Sequence, residues 1–196
     1  MNTKKQTATQ HLFTNKQLRT LLVPIMVEQL LSSLMGTADT MMVSNVGSAA
    51  ISAVSLVDAI NILVIQALSA LAAGGAILCS QYLGSQNLKK AKRSAEQVLF
   101  VMLVLSCSLS LLCLIFRFPL LRLIFGTVDT DVMANSQIYF FFTLLSFPFI
   151  GLYDAGASIL RAQNNTKGPM TISILSNFLN IGGNAILIYG FHRGTE

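Results

Sequence analysis

Acidic and amide side chains set inside long apolar runs are the residues of this sequence with chemistry to offer, and Asp39 stands first among them. It lies near the end of a hydrophobic stretch, residues 21–43. A carboxylate at membrane depth is costly to desolvate, so it normally faces a partner, a cavity or an ion path, where it can take up a proton or a cation. Glu28 precedes it by eleven residues. That spacing is about three helical turns plus 20°, which sets both acids on one face roughly 16 Å apart along the axis. Ser32 lies between them on the same side, so Glu28 and Ser32 are candidate cavity-lining groups. Pro24 removes an intrahelical N–H early in the run and offers a point at which the helix can bend. A kink with no functional part is the alternative for Pro24.

A second polar stripe runs through Ser173, Asn177, Asn180 and Asn184. The i, i+4, i+7, i+11 spacing keeps it on one narrow helical face. Asparagine carries both donors and acceptors and can orient a carboxylate or give carbonyl oxygens to a cation. The alternative is adhesion between helices, worth on average about 0.6 kcal/mol per intramembrane hydrogen bond. Asn177 reads first as adhesion and second as cavity lining, whereas Asn180 and Asn184 stand open between adhesion and ion coupling. Asp58, near Ser55, Gln66 and Ser69, is a further cavity-lining candidate, unless it simply reaches toward the membrane interface. For Asp154 an ion pair with nearby Arg161 is a sufficient role. No phosphate loop, GxSxG or HExxH occurs, and His11 and His192 lie outside the apolar runs. Cys79, Cys107 and Cys113 lack CxxC spacing and read as small core residues. The chain is therefore read as no enzyme, with no metal site and no covalent cofactor.

The elements that must position these groups follow from composition. Charged residues make up 11% of the chain and hydrophobic ones 53%, against about 25% charged residues in soluble domains. Five apolar stretches, residues 21–43, 51–83, 98–116, 138–160 and 170–191, each reach the roughly 20 residues that carry a helix across the hydrocarbon layer. They are too long, and too weakly alternating, for barrel strands. The expectation is an all-α integral membrane fold: a tail at 1–19, spans at about 20–44, 51–83, 94–116, 136–160 and 168–191, and a loop at 192–196. With the N-terminus in the cytoplasm, Lys4, Lys5, Lys16, Arg19, Lys89, Lys90, Lys92, Arg93, Arg161 and Lys167 fall inside. Only Arg117, Arg122 and Arg193 then fall outside, with Asp129 and Asp131, as the positive-inside rule requires. The net charge of +5 thus marks topology and lipid headgroups near residues 89–93, not nucleic acid. Gly84 is expected to cap the second helix, and residues 117–135 to form an outer connection. The sequon Asn164-Asn165-Thr166 falls in the cytoplasm and reads as accidental.

Four phrases together resemble the multidrug and toxic compound extrusion (MATE) family. They are Pro24 … Asp39-Thr40-Met41-Met42-Val43 … Gly47-Ser48-Ala49-Ala50-Ile51-Ser52-Ala53-Val54; Gly74 … Ser80-Gln81-Tyr82-Leu83-Gly84; Leu160-Arg161-Ala162-Gln163-Asn164-Asn165-Thr166-Lys167-Gly168-Pro169-Met170; and Asn180 … Asn184 … Leu187-Ile188-Tyr189-Gly190. The resemblance implies one lobe of a twelve-helix transporter, whose partners would be a sixth helix, a C-terminal lobe, membrane lipid and a small-molecule substrate. It implies H+ or Na+ coupling at Asp39 with Asn180 beside it, a bend at Pro24, and export of drugs or other organic, often cationic, compounds across the plasma membrane. Some relatives carry Asp where this chain has Asn184, so a two-carboxylate Na+ site is in question here. The competing expectations are a flippase of lipid-linked substrates in the same superfamily and a non-transporting fragment or interaction subunit.

Overall fold

The computed structural model describes residues 14–44, 47–126 and 128–185. Six helices account for nearly all of them: α1 Asn15–Ser44, α2 Ser48–Gly84, α3 Leu88–Ile115, α4 Arg117–Phe125, α5 Thr130–Ala162 and α6 Lys167–Ala185. No strand occurs among the described residues. Four helices, α1 over Asn15–Ala38 and the whole of α2, α3 and α5, are long and apolar enough to cross a membrane. Helix α6 holds the described part of the expected fifth span.

The helices group into a trio and a pair. α2, α3 and α5 pack tightly on one another, α1 packs chiefly on α6, and contact between the two groups is sparse. The trio is stitched by two periodic stripes. On α2 the buried positions are Ala50, Ala53, Val57, Asn61, Val64, Leu68, Ala72, Ala76 and Cys79. On α5 they include Ser136, Phe140, Leu144, Phe147, Gly151, Ala155 and Ser158. Steps of three and four residues keep each stripe on one face. In lipid, burial against another helix removes little apolar surface from water, so close van der Waals packing of small residues has to hold the helices together. Two glycines make this explicit. A Cβ on Gly75 would sit 2.5 Å from Val98 Cγ2 of α3, and one on Gly151 would sit 2.8 Å from Ser106 Cβ of α3. Ser110 adds a hydroxyl hydrogen bond to the Leu144 carbonyl of α5.

Two expectations change. The outer connection at 117–135 contains α4, because Pro119 falls in the helix's first turn, where a missing N–H costs little. α4 buries Leu121 completely while Leu123 stays 86% exposed, and it ends at Gly126 with φ +61°. The second change is at the α2 terminus. Gly84 is its last helical residue, but the left-handed position belongs to Gln86, at φ +57°. The Gln86 N–H bonds the Leu83 carbonyl, and the Asn87 N–H bonds that of Tyr82, a Schellman ending. α5 ends the same way, with Asn164 at φ +62° and bonds from the Asn164 and Asn165 N–H groups to Arg161 and Leu160.

Candidate functional site

The polar residues of α1 are best approached through Pro24. Having no N–H, it cannot bond the carbonyl four residues back, that of Thr20. A buried hydroxyl fills the gap: Thr166 Oγ1, on a residue only 4% exposed, donates to the Thr20 carbonyl at 3.3 Å. Thr166 immediately precedes α6, where a threonine hydroxyl usually accepts from its own helix. Here Asn165 Oδ1 takes the Gly168 N–H at 3.2 Å, and the Thr166 hydroxyl is turned to α1 instead.

One turn beyond Pro24, Glu28 is 6% exposed. Its Oε1 accepts from Arg161 Nη2 at 2.8 Å and from the Tyr153 hydroxyl at 3.3 Å, both on α5. The ion pair links α1 of the pair to α5 of the trio. An unpaired carboxylate at this depth would be strongly unfavourable, so the pair is needed once Glu28 is buried, although such pairs seldom add much net stability. Among the described residues the salt bridge of Arg161 is with Glu28, not with Asp154 as the shorter sequence separation suggested. Asp154 instead lies near Ser69 of α2 and within the electrostatic reach of both Glu28 and Arg161. Asp154 Oδ2 and Arg161 Nε are each buried without a hydrogen-bond partner.

The remaining candidates divide by location. Pro24 is buried and α1 runs unbroken through it. Ser32 is exposed, while Leu31, Met35 and Ala38 are half-buried and continue the stripe of Pro24 and Glu28. Asp58 Oδ1 accepts from the Tyr139 hydroxyl of α5 at 3.1 Å and from Asn61 Nδ2 at 3.3 Å, so it ties α2 to the start of α5. On α6, Ser173 and Asn177 are buried at 8% and 9% exposure, Asn180 is half-buried, and Asn177 Nδ2 has no partner. The side chains of Asp39 and Asn184 lie outside the described residues.

The backbone still gives the level of those two positions. α1 and α6 touch at their starts, through Thr20 and Thr166, and pack extensively, so they run parallel. Eighteen residues beyond Thr166 is Asn184, and eighteen beyond Thr20 is Ala38. At about 1.5 Å per residue, positions 39 and 184 stand at nearly the same height on neighbouring helices, with Asn180 one turn below. Sequence reasoning missed Tyr153, Tyr139 and Thr166 as partners. The carbonyl freed by Pro24 was a readable signal for Thr20, but nothing local identified the hydroxyl that meets it.

Comparison with known proteins adds the following. The profile of the MatE family matches residues 24–186. The chain is 32% identical over 168 residues to the uncharacterized transporter YisQ of Bacillus subtilis, covering 85% of this chain and 36% of that protein. It is 26% identical over 178 residues to the probable multidrug resistance protein NorM of Thermotoga maritima, covering 89% of this chain and 37% of that one. The crystal structure of a MATE in complex with MaD3S superimposes with a TM-score of 0.86 at 23% identity, covering 92% of this chain and 40% of that one. The chain thus spans somewhat over a third of the length of the relatives it matches.

Proposed function

Since the chain belongs to the MatE family of membrane transporters, we propose that it works as the N-terminal lobe of a cation-coupled antiporter that exports drugs or other organic, often cationic, compounds. Its N-terminus lies in the cytoplasm and its spans cross the plasma membrane. Asp39 is the coupling acid, taking H+ or Na+, with Asn180 and Asn184 as its amide neighbours and Pro24 as the bending point of α1. One observation carries this reading: the parallel packing of α1 and α6, which brings positions 39, 180 and 184 to adjoining levels of two neighbouring helices. Amides beside an acid hydrogen-bond its charged form and supply carbonyl oxygens to a cation. Coupling requires that ion and substrate differ in their affinity for two arrangements of the helices. A helix bent or straightened at Pro24 provides two such arrangements.

Against the flippase reading, Arg161 is neutralised by Glu28 and offers no free cation to an anionic lipid-linked substrate. Partnered with a second lobe in membrane vesicles, the protein is expected to move a cationic dye against its gradient. That movement is expected to stop when the H+ and Na+ gradients are collapsed. Dye movement unaffected by that collapse would rule out the antiporter reading.

A further inference from the structure

The end of α5 and the turn that follows it touch α1 twice, and the two contacts flank Pro24 by one helical turn on either side. Below the proline, Thr166 Oγ1 donates to the Thr20 carbonyl. Above it, Arg161 Nη2 and the Tyr153 hydroxyl meet Glu28. The Thr20 carbonyl is the group that Pro24 leaves unbonded. One short segment, Arg161 to Thr166, therefore engages the weak point of α1 from both sides, and the Schellman ending at Asn164 and Asn165 holds that segment in shape. Nothing in the coupling chemistry at Asp39 calls for these contacts.

We propose that the end of α5 and the α5–α6 turn form a clamp that holds α1 in one arrangement across Pro24, and that Arg161 exchanges Glu28 for Asp154 when the clamp opens. Asp154 and Arg161 are seven residues apart on α5, which places them on one face. A long helical side chain leans toward its helix's N-terminus, so Arg161 leans toward Asp154. Each carries a buried polar atom with no partner, Oδ2 on Asp154 and Nε on Arg161. These unmade bonds are what the exchange would form. Packing between the pair and the trio is sparse, so releasing the Glu28 grip disturbs little of the trio. A second acid waiting for the same cation makes the element two-state instead of merely loose.

The clamp gives Pro24 its control under the transport reading but does not depend on Asp39, and its test measures distance, not export. Spin labels go on Ser33→Cys of α1 and on Cys107 of α3, both exposed, with Cys79 and Cys113 replaced by Ala, in the full chain in lipid nanodiscs. Glu28→Gln and Thr166→Val each remove one grip, and each is expected to raise the displaced population on the order of tenfold relative to the clamped one. Asp154→Asn removes the alternative partner and is expected to move the balance the opposite way. If Glu28→Gln does not fold, Glu28→Asp shows the same direction to a smaller extent. An unchanged distance distribution in both grip variants would overturn the clamp. So would an Asp154→Asn variant that loosens α1 as Glu28→Gln does, since a purely structural network predicts loosening from both.

Discussion

Gly74 and Gly75 are neighbours on α2 with opposite surroundings, and alanine at each should have opposite effects. A Cβ on Gly75 would lie 2.5 Å from Val98 Cγ2 and 2.9 Å from Cγ1. Carbon atoms prefer separations of about 3.5–4.0 Å, so the overlap is on the order of 1 Å against two methyl groups at once. Val98 is β-branched and in mid-helix, where a single χ1 rotamer dominates, so it cannot swing aside. Instead α2 and α3 must part by roughly the overlap, at a cost of about 1–3 kcal/mol for overpacking. A Cβ on Gly74 meets nothing within 4 Å. There the exchange gains helix propensity alone, up to about 1 kcal/mol. The assay is reversible unfolding in mixed detergent micelles, followed by circular dichroism. Gly75→Ala should lower stability, Gly74→Ala should leave it equal or higher, and Val98→Ala should rescue most of the Gly75→Ala loss. Equal effects at the two glycines, or no rescue, would refute the close α2–α3 approach.

Three further expectations can be checked by the same unfolding measurement. Arg161→Met leaves Glu28 buried without its counter-charge and should cost about 3–5 kcal/mol, whereas the double variant Glu28→Met with Arg161→Met should come close to the parent. A double variant as unstable as the single one would mean the two groups do not act as a pair. Gln86→Gly relieves a left-handed backbone position for a residue with a Cβ and should stabilise by about 0.5–1 kcal/mol. Asn87 accepts the Lys90 N–H at 3.1 Å as the cap of α3, so Asn87→Ala should cost about 1 kcal/mol.

Much of the architecture was legible because the apolar runs are long and the charges fall at their ends. Helix α4 was hidden by its own composition. Arg117, Arg122 and Pro119 read as a loop, although proline is tolerated in a first helical turn and Leu121 is fully buried. The residues of the α1 site were legible one by one, since a carboxylate or proline in a hydrophobic run stands out. Their partners were not. Arg161 lies seven residues from Asp154 and 133 from Glu28, so nearness in sequence favoured the wrong acid. The pairing depends on how α1 docks on α5, a tertiary fact with no local signature. Gly75 and Gly151 show the same limit: each is one glycine among several until the opposing helix is in place. On α6 the stripe positions Ser173 and Asn177 are both buried. Ser32, assigned to the face of Glu28, is exposed.

The coupling role proposed for Asp39 is open to a direct measurement: export of a cationic dye by a two-lobe transporter containing this chain, in proteoliposomes under an imposed ion gradient, comparing the parent with Asp39→Asn. Asparagine keeps the shape but can neither take up a proton nor carry the charge that holds a cation. The variant should therefore bind dye and keep its fold while gradient-driven export falls to background. Export by Asp39→Asn at the parent rate, under the same gradient, would contradict the assignment of α1 as the coupling helix.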